Sequence, residues 1–209
     1  RLDPETGAFE SLRHRPEDPS SLPSNRVTTL LVDRSGLLWS GLDGSGLALL
    51  DLAGSPFRTF RHQPGRADGI TAPIVRAVHE ARDGTLWLGT SGGGLNALDP
   101  STGRVRAFRA GPAPGDLSID DVWNVVVDED GIAWAATLGG GLNRVDPESG
   151  TVRVYRASRD GLSSDQLRVA LLGRDGALWI GTAGGGLCRL DRATWRFACL
   201  RNDPADAAS

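Results

Sequence analysis

Few residues of this 209-residue chain are of types that perform chemistry, and their spacing narrows the choice further. There are three histidines (His14, His62, His79) and two cysteines (Cys188, Cys199). No two histidines stand at a metal-ligand spacing, and no nucleophile is placed beside a base. His14 and His62 lie beside Arg and Pro and read as solvated surface residues. His79 falls in an apolar run and reads as a partly buried, hydrogen-bonded side chain. The stretch DEDG at 128–131 opens like a calcium loop but lacks the remaining oxygen donors and the distal bidentate Glu. Glycine triplets such as Gly92-Gly93-Gly94 suggest a phosphate cradle. Such a cradle works by aiming a helix N-terminus at the anion, whereas these triplets lead into β-strand patterns. All 23 basic residues are Arg, so the lysine of a phosphate loop is absent too. No catalytic centre, metal site or cofactor is expected, and the chain reads as non-enzymatic.

The glycines belong to a repeat. SGLLWSGLDGSGLALLD (35–51), DGTLWLGTSGGGLNALD (83–99), DGIAWAATLGGGLNRVD (130–146) and DGALWIGTAGGGLCRLD (175–191) align without gaps over 17 columns. Trp39, Trp87, Trp134 and Trp179 share one column, at spacings of 48, 47 and 45 residues. Self-similarity at this period indicates a repeat architecture. Each copy holds an apolar run (27–33, 74–81, 122–128, 167–173), a Gly-containing turn, the Trp-bearing run, a run starting at the last glycine, and an alternating run such as 104–109 or 151–156. The intervening DPSTG and DPESG supply Pro, Ser and Gly where hairpin loops need them. No segment carries a sustained helical period.

Four short strands per unit of this length predict a β-propeller with one radial blade per unit. The expected fold is an all-β propeller arc of four four-stranded blades plus one remnant strand, AFESL at 8–12, cut from a larger ring of seven blades. Its divisions are 1–25 (remnant and loop), 26–66, 67–113, 114–160 and 161–209 (the last blade and tail). A closed four-bladed ring would leave residues 8–12 without a place. The Trp-bearing runs are apolar on both faces, as blades packed face to face require. Trp123 and Trp195 lie outside this column.

Blade bodies are occupied with packing, so recognition is expected on the loops at one end and around the axial channel. The aligned position just inside each first strand holds Thr28, Arg76, Trp123 and Arg168. Two guanidiniums and an indole at one level suit an acidic or neutral sugar, through bidentate hydrogen bonds and stacking. The alternative is that the arginines pair with nearby carboxylates and Trp123 packs on a loop. Cys188 and Cys199 come together by hairpin arithmetic. If Asp191 faces Arg196, then 188 faces 199, as 48 faces 59, 96 faces 107 and 143 faces 154. Facing residues of an antiparallel pair lie within reach of a disulfide. Two reduced thiols filling a core position are the other reading.

The motif D-G-x-h-W-h-G-T-x-G-G-G-L-x-x-h-D (h, apolar) resembles the two-component regulator propeller family. It is sharpest at Trp87-Leu88-Gly89-Thr90 with Gly92-Gly93-Gly94-Leu95, and at Trp179-Ile180-Gly181-Thr182 with Gly184-Gly185-Gly186-Leu187. Leu42, Ser45 and Ala136 depart from it. The resemblance implies the periplasmic, ligand-sensing part of a membrane-anchored receptor. The implied ligand is an oligosaccharide or another small polar molecule. Implied partners are neighbouring blades, a β-sandwich domain and a second copy, with a histidine kinase or diguanylate cyclase as output beyond these residues. An oxidising periplasm permits the disulfide. A protein-interaction scaffold and a propeller lyase or hydrolase are the competing functions. Net charge is −3 and no apolar run reaches membrane-spanning length, so neither nucleic acid nor direct membrane insertion is expected. The chain starts without Met and is expected to be a segment of a longer polypeptide.

Overall fold

The computed structural model describes residues 2–51, 57–66 and 68–202, so the tail at 203–209 lies outside the described residues. Each repeat folds into one four-stranded antiparallel sheet whose spatial order follows the chain. The first holds β1 (Val27–Val32), β2 (Leu37–Leu42), β3 (Gly46–Asp51) and β4 (Arg58–Phe60). The second holds β5 (Val75–Glu80), β6 (Leu86–Thr90), β7 (Leu95–Leu98) and β8 (Val105–Phe108). The third holds β9 (Val122–Val127), β10 (Ala133–Thr137), β11 (Gly141–Val145) and β12 (Val152–Tyr155). After a short helix, α1 (Ala157–Asp160), come β13 (Leu167–Leu172), β14 (Leu178–Thr182), β15 (Leu187–Asp191) and β16 (Arg196–Leu200).

Two side-chain devices explain the repeated motif. In the first and third sheets an aspartate six residues before the Trp shapes the hairpin and anchors the indole. Asp33 accepts from the backbone of Ser35 and Leu37 and from Trp39 Nε1 at 2.7 Å. Asp128 does the same for Asp130, Ile132 and Trp134 Nε1, the last at 2.9 Å. The Thr of G-T-x-G-G-G closes the next turn on the last glycine. Thr90 Oγ1 donates to Gly94 O at 2.8 Å, Thr137 Oγ1 to Gly141 O at 2.6 Å, and Thr182 Oγ1 to Gly186 O at 2.8 Å. That glycine is obligatory. At Gly94 φ is +72°, and a Cβ would stand 2.2 Å from the carbonyl oxygen of Phe108.

The sheets pack face to face through three apolar layers. Trp39, Leu47 and Leu49 of the first blade meet Val75, Leu86, Leu88 and Leu98 of the second. Trp87, Leu95 and Phe108 meet Val122, Val125, Ala133 and Ala135. Trp134, Leu142 and Tyr155 meet Leu167, Ala170, Leu178 and Ile180. Each Trp therefore points to the following blade, beside an aromatic of its own outer strand: Phe60, Phe108 or Tyr155, with ring centroids 5.6–6.2 Å apart. Trp179 has no following blade among the described residues and stays only half-buried. Leu30 and Val32 are 61% and 58% exposed on one end face, and Leu171 is 62% exposed on the other. The first and last sheets thus leave opposite faces uncovered, and the four blades form an open arc.

Residues 8–12 form no strand. Phe9 makes one isolated bridge to Leu2, and the segment is exposed throughout. What does repeat is the turn before it. Gly7 N donates to Asp3 O at 2.8 Å and Asp3 N to Ala8 O at 2.9 Å, as Gly103 does to Asp99 and Asp99 to Arg104. The outer hairpin turn is locally encoded by D-P-x-T-G, whereas a strand needs a paired neighbour that these residues lack.

Outer-strand register follows the arithmetic: Ala48 faces Thr59, Asn96 faces Ala107, Asn143 faces Val154 and Cys188 faces Cys199. In the structure Cys188 and Cys199 are joined as a disulfide, with Cα atoms 4.0 Å apart. Ser163 Oγ lies 3.0 Å from Cys188 Sγ; a disulfide sulfur carries no hydrogen, so the hydroxyl donates. Closing a loop of about a dozen residues stabilises by about 2–3 kcal/mol in the loop-entropy description. The double change Cys188→Ala/Cys199→Ala should lower stability by that amount in urea melts. Dithiothreitol should do the same to the native protein and leave the double variant unmoved.

Candidate functional site

The first strands β1, β5, β9 and β13 stand side by side along the inner edge of the arc, and each carries an irregularity near its start. Pairing with the second strand skips from Val27 to Thr29, Val75 to Ala77, Val122 to Asn124 and Leu167 to Val169. The residues passed over are Thr28, Arg76, Trp123 and Arg168, the aligned column of the sequence. A β-bulge leaves one residue out of the ladder and re-aims its side chain. Here four consecutive bulges take one side chain per blade out of the ladder, and those of Arg76, Trp123 and Arg168 meet across the blades.

Three of them form a stack. The Arg76 guanidinium carbon lies 4.2 Å from the Trp123 ring centroid, and that of Arg168 lies 3.8 Å from it. The indole is thereby layered between two cations, a contact worth about 0.5–2 kcal/mol each. Arg76 Nη2 donates to Ser91 Oγ at 3.0 Å, and its Nε faces Asp121 Oδ1 at 3.6 Å. The other Asp121 oxygen accepts from Trp123 Nε1 at 3.1 Å. Arg76 Nε and Asp121 Oδ1 are both sealed from solvent without a hydrogen bond. They attract across a gap too wide for one. Thr28 Oγ1 donates to the Val75 carbonyl, which ties the first blade to the same level.

Arg168 differs. It is exposed, and among the described residues it makes no ion pair. Its stacked face is fixed by Trp123, and its donor edge is left for an external acceptor. A pre-oriented guanidinium suits a carboxylate or sulfate better than a neutral hydroxyl. Stacking a sugar ring on Trp123 is not available in this arrangement, because both indole faces carry guanidiniums. Trp123 instead positions the arginines, and Asp121 and Ser91 position Arg76. Neither partner stands out in the sequence, although Ser91 and Asp121 form an isolated bridge between neighbouring blades.

The remaining polar residues hold loops. His14 and His62, read from the sequence as solvated, each place Nδ1 on a loop carbonyl: Leu22 O at 2.8 Å and Ile70 O at 2.7 Å. Their shared eight-residue spacing to a buried aliphatic was the missed signal. Asn96 and Asn143, fully buried, accept from Thr71 N and Ser118 N at 3.0 and 2.8 Å. His79 is partly buried and bonded to the Val127 backbone; burial holds its imidazole below the usual pKa. Among the described residues no group of three His, Cys, Asp or Glu is arranged for a metal ion. Nor is any helix long and apolar enough to cross a membrane.

The family model of the two component regulator propeller matches residues 21–44 and 69–92. No curated protein matches the chain. The chain is similar to the extracellular domain assigned to the hybrid two component system BT3049 from B. thetaiotaomicron. That match has 26% identity and a TM-score of 0.74 over 86% of this chain and 25% of that one. The extracellular domain assigned to the one component system BT4673 of the same organism is similar at 21% identity. Its TM-score is 0.73, over 90% of this chain and 26% of that one. A catalytically inactive virginiamycin B lyase from Staphylococcus aureus, with quinupristin, shares the fold alone. It matches at 14% identity and a TM-score of 0.65, over 87% of this chain and 58% of the lyase. The chain spans about a quarter of the length of the two Bacteroides domains.

Proposed function

We propose that this chain, which matches the two-component regulator propeller model at residues 21–44 and 69–92, is part of the ligand-sensing region of a signalling receptor. It recognises an anionic saccharide or a similar small acidic ligand on its inner edge. The observation that carries this reading is the Arg76–Trp123–Arg168 stack, built from three successive bulges and ending in an exposed guanidinium without an ion pair among the described residues. Similarity to extracellular domains of two-component systems supports an extracytoplasmic, periplasmic setting, and the Cys188–Cys199 disulfide suits an oxidising one. The chain itself performs no catalysis. Further blades cover its end faces, and the signal passes to a kinase or diguanylate cyclase module elsewhere in the receptor.

An array of neutral, uronate-bearing and sulfated oligosaccharides tests the reading. Retention of acidic glycans over their neutral counterparts is expected. Loss of a charge-assisted hydrogen-bonding partner costs about 1.5–3 kcal/mol, so Arg168→Ala should weaken binding by roughly 10- to 100-fold. The melting temperature should fall only slightly, because Arg168 is exposed and gives up no more than its stacking contact with Trp123. Arg76→Ala differs, since it strands Asp121 and should destabilise as well. Binding of neutral glycans alone, or acidic binding indifferent to Arg168→Ala, would contradict the proposal.

A further inference from the structure

The crevices between neighbouring blades are built on one plan but filled differently. Between the third and fourth blades, four side chains pack over Trp134. Asp128 accepts its Nε1–H at 2.9 Å, and Arg192 Nη2 binds the same Asp128 oxygen at 2.6 Å. The Arg144 guanidinium lies 5.9 Å from the Trp134 ring, and Trp195 stacks on that ring at 6.1 Å. Trp195 does so from φ 58°, at the hairpin position occupied by Gly103 and Gly150 in the preceding blades. Nothing comparable fills the crevice between the second and third blades. There Ala81 replaces Asp128, Pro147 replaces Arg192, Ala97 replaces Arg144 and Gly150 replaces Trp195.

Ala81, Ala97 and Pro147 line a cavity of about 750 Å³ against Trp87, within the range of small-molecule sites. Trp87 is 97% buried, its relative exposure being 3%. Where Trp39 and Trp134 donate to an aspartate, Trp87 Nε1–H has no acceptor among the described residues. It is not sealed from solvent either, so the donor opens on the cavity that Trp87 lines. A donor that opens on a cavity without a protein partner is available to a ligand that supplies an acceptor. At the mouth, Arg82 is paired with Glu129, and Arg106 donates to the Pro147 carbonyl. Asp99, Asp146 and Glu148 also line the cavity and make no ion pair among the described residues, which leaves carboxylates in excess there.

The groups missing from this crevice are a carboxylate for the indole N–H, a cation for the acidic surroundings and an aromatic ring for the indole face. We infer that the crevice between the second and third blades binds a small zwitterion carrying an aromatic ring, an aromatic amino acid being the simplest member. The ligand carboxylate accepts from Trp87 Nε1, with Arg104 also lining the cavity. The ammonium meets Asp146 and Glu148, and the ring takes the place that Trp195 holds one blade on. This site is separate from the Arg76–Trp123–Arg168 stack and stands whether or not that stack binds a saccharide.

Indole N–H resonances of the ¹⁵N-labelled chain, with Trp87 assigned through Trp87→Phe, report on it directly. Titration with L-phenylalanine should move the Trp87 resonance saturably. Phenethylamine, which lacks the carboxylate, and 3-phenylpropionate, which lacks the ammonium, should each bind at least about 10-fold more weakly. Ala97→Arg and Ala81→Asp each restore one missing filler and should abolish the shift. A melting temperature at or above that of the native chain shows that each variant is folded, and should Ala97→Arg not fold, Ala81→Asp decides. The proposal fails if Trp87 does not respond to phenylalanine up to its solubility limit. Equal responses to all three probes, or a shift that survives in the folded variants, would also overturn it.

Discussion

Exchanging Asp128 for Ala should lower the unfolding free energy by about 3–5 kcal/mol, the range for breaking a buried ion pair from one side. The Asp128 side chain is 1% exposed and serves four donors: Trp134 Nε1, Arg192 Nη2 and the backbone of Asp130 and Ile132. Its loss leaves the partly buried Arg192 with only the longer pair to Asp130, at 3.6 Å, and opens the hairpin before β10. Urea titration with unchanged m-value is the measurement. Asp128→Ala/Arg192→Ala should recover part of the loss, because the stranded charge goes with its partner. Equal loss in single and double variants would place the effect in the turn alone.

Gly94→Ala should be comparably damaging. A left-handed conformation costs an L-residue about 1–2 kcal/mol, and forcing a methyl into a packed site adds about 1–3 kcal/mol. Here the methyl would meet backbone, the Phe108 carbonyl at 2.2 Å, which does not rotate away. A sum of roughly 2–5 kcal/mol should appear as a reduced urea midpoint. Gly84→Ala is the control, since its φ of +85° imposes the same strain but nothing lies within 4 Å of the added Cβ. It should cost only the conformational part.

What the sequence disclosed is what local rules determine. Four aligned tryptophans, Gly-containing turns and D-P-x-x-G hairpins established four four-stranded blades, and hairpin symmetry placed Cys188 opposite Cys199. The column of Thr28, Arg76, Trp123 and Arg168 was visible because the blades repeat. The bulge that removes these residues from the ladder was not, because a bulge depends on how the neighbouring blade packs. Nor did composition reveal that Trp123 would have both faces covered, which changes its role from platform to spacer. The Arg192–Asp128 pair joins residues 64 apart through the packing of two blades, and no local pattern announces it. Residues 8–12 show the converse. Their pattern aligns with an outer strand, but pairing needs a partner strand that the described residues do not provide.

In the function proposed above, the inner-edge stack reads an acidic ligand through Arg168. Isothermal titration of one uronate-bearing oligosaccharide into the native chain, Arg168→Lys and Arg168→Ala tests it most directly. Measurable binding to the native chain is expected, with weaker binding to Arg168→Lys, which keeps the charge but loses the planar two-pronged donor. Arg168→Ala should be weaker again by roughly 10-fold or more overall, while its melting temperature falls only by what the Trp123 stacking contact supplies. Equal affinities for the three chains would contradict it.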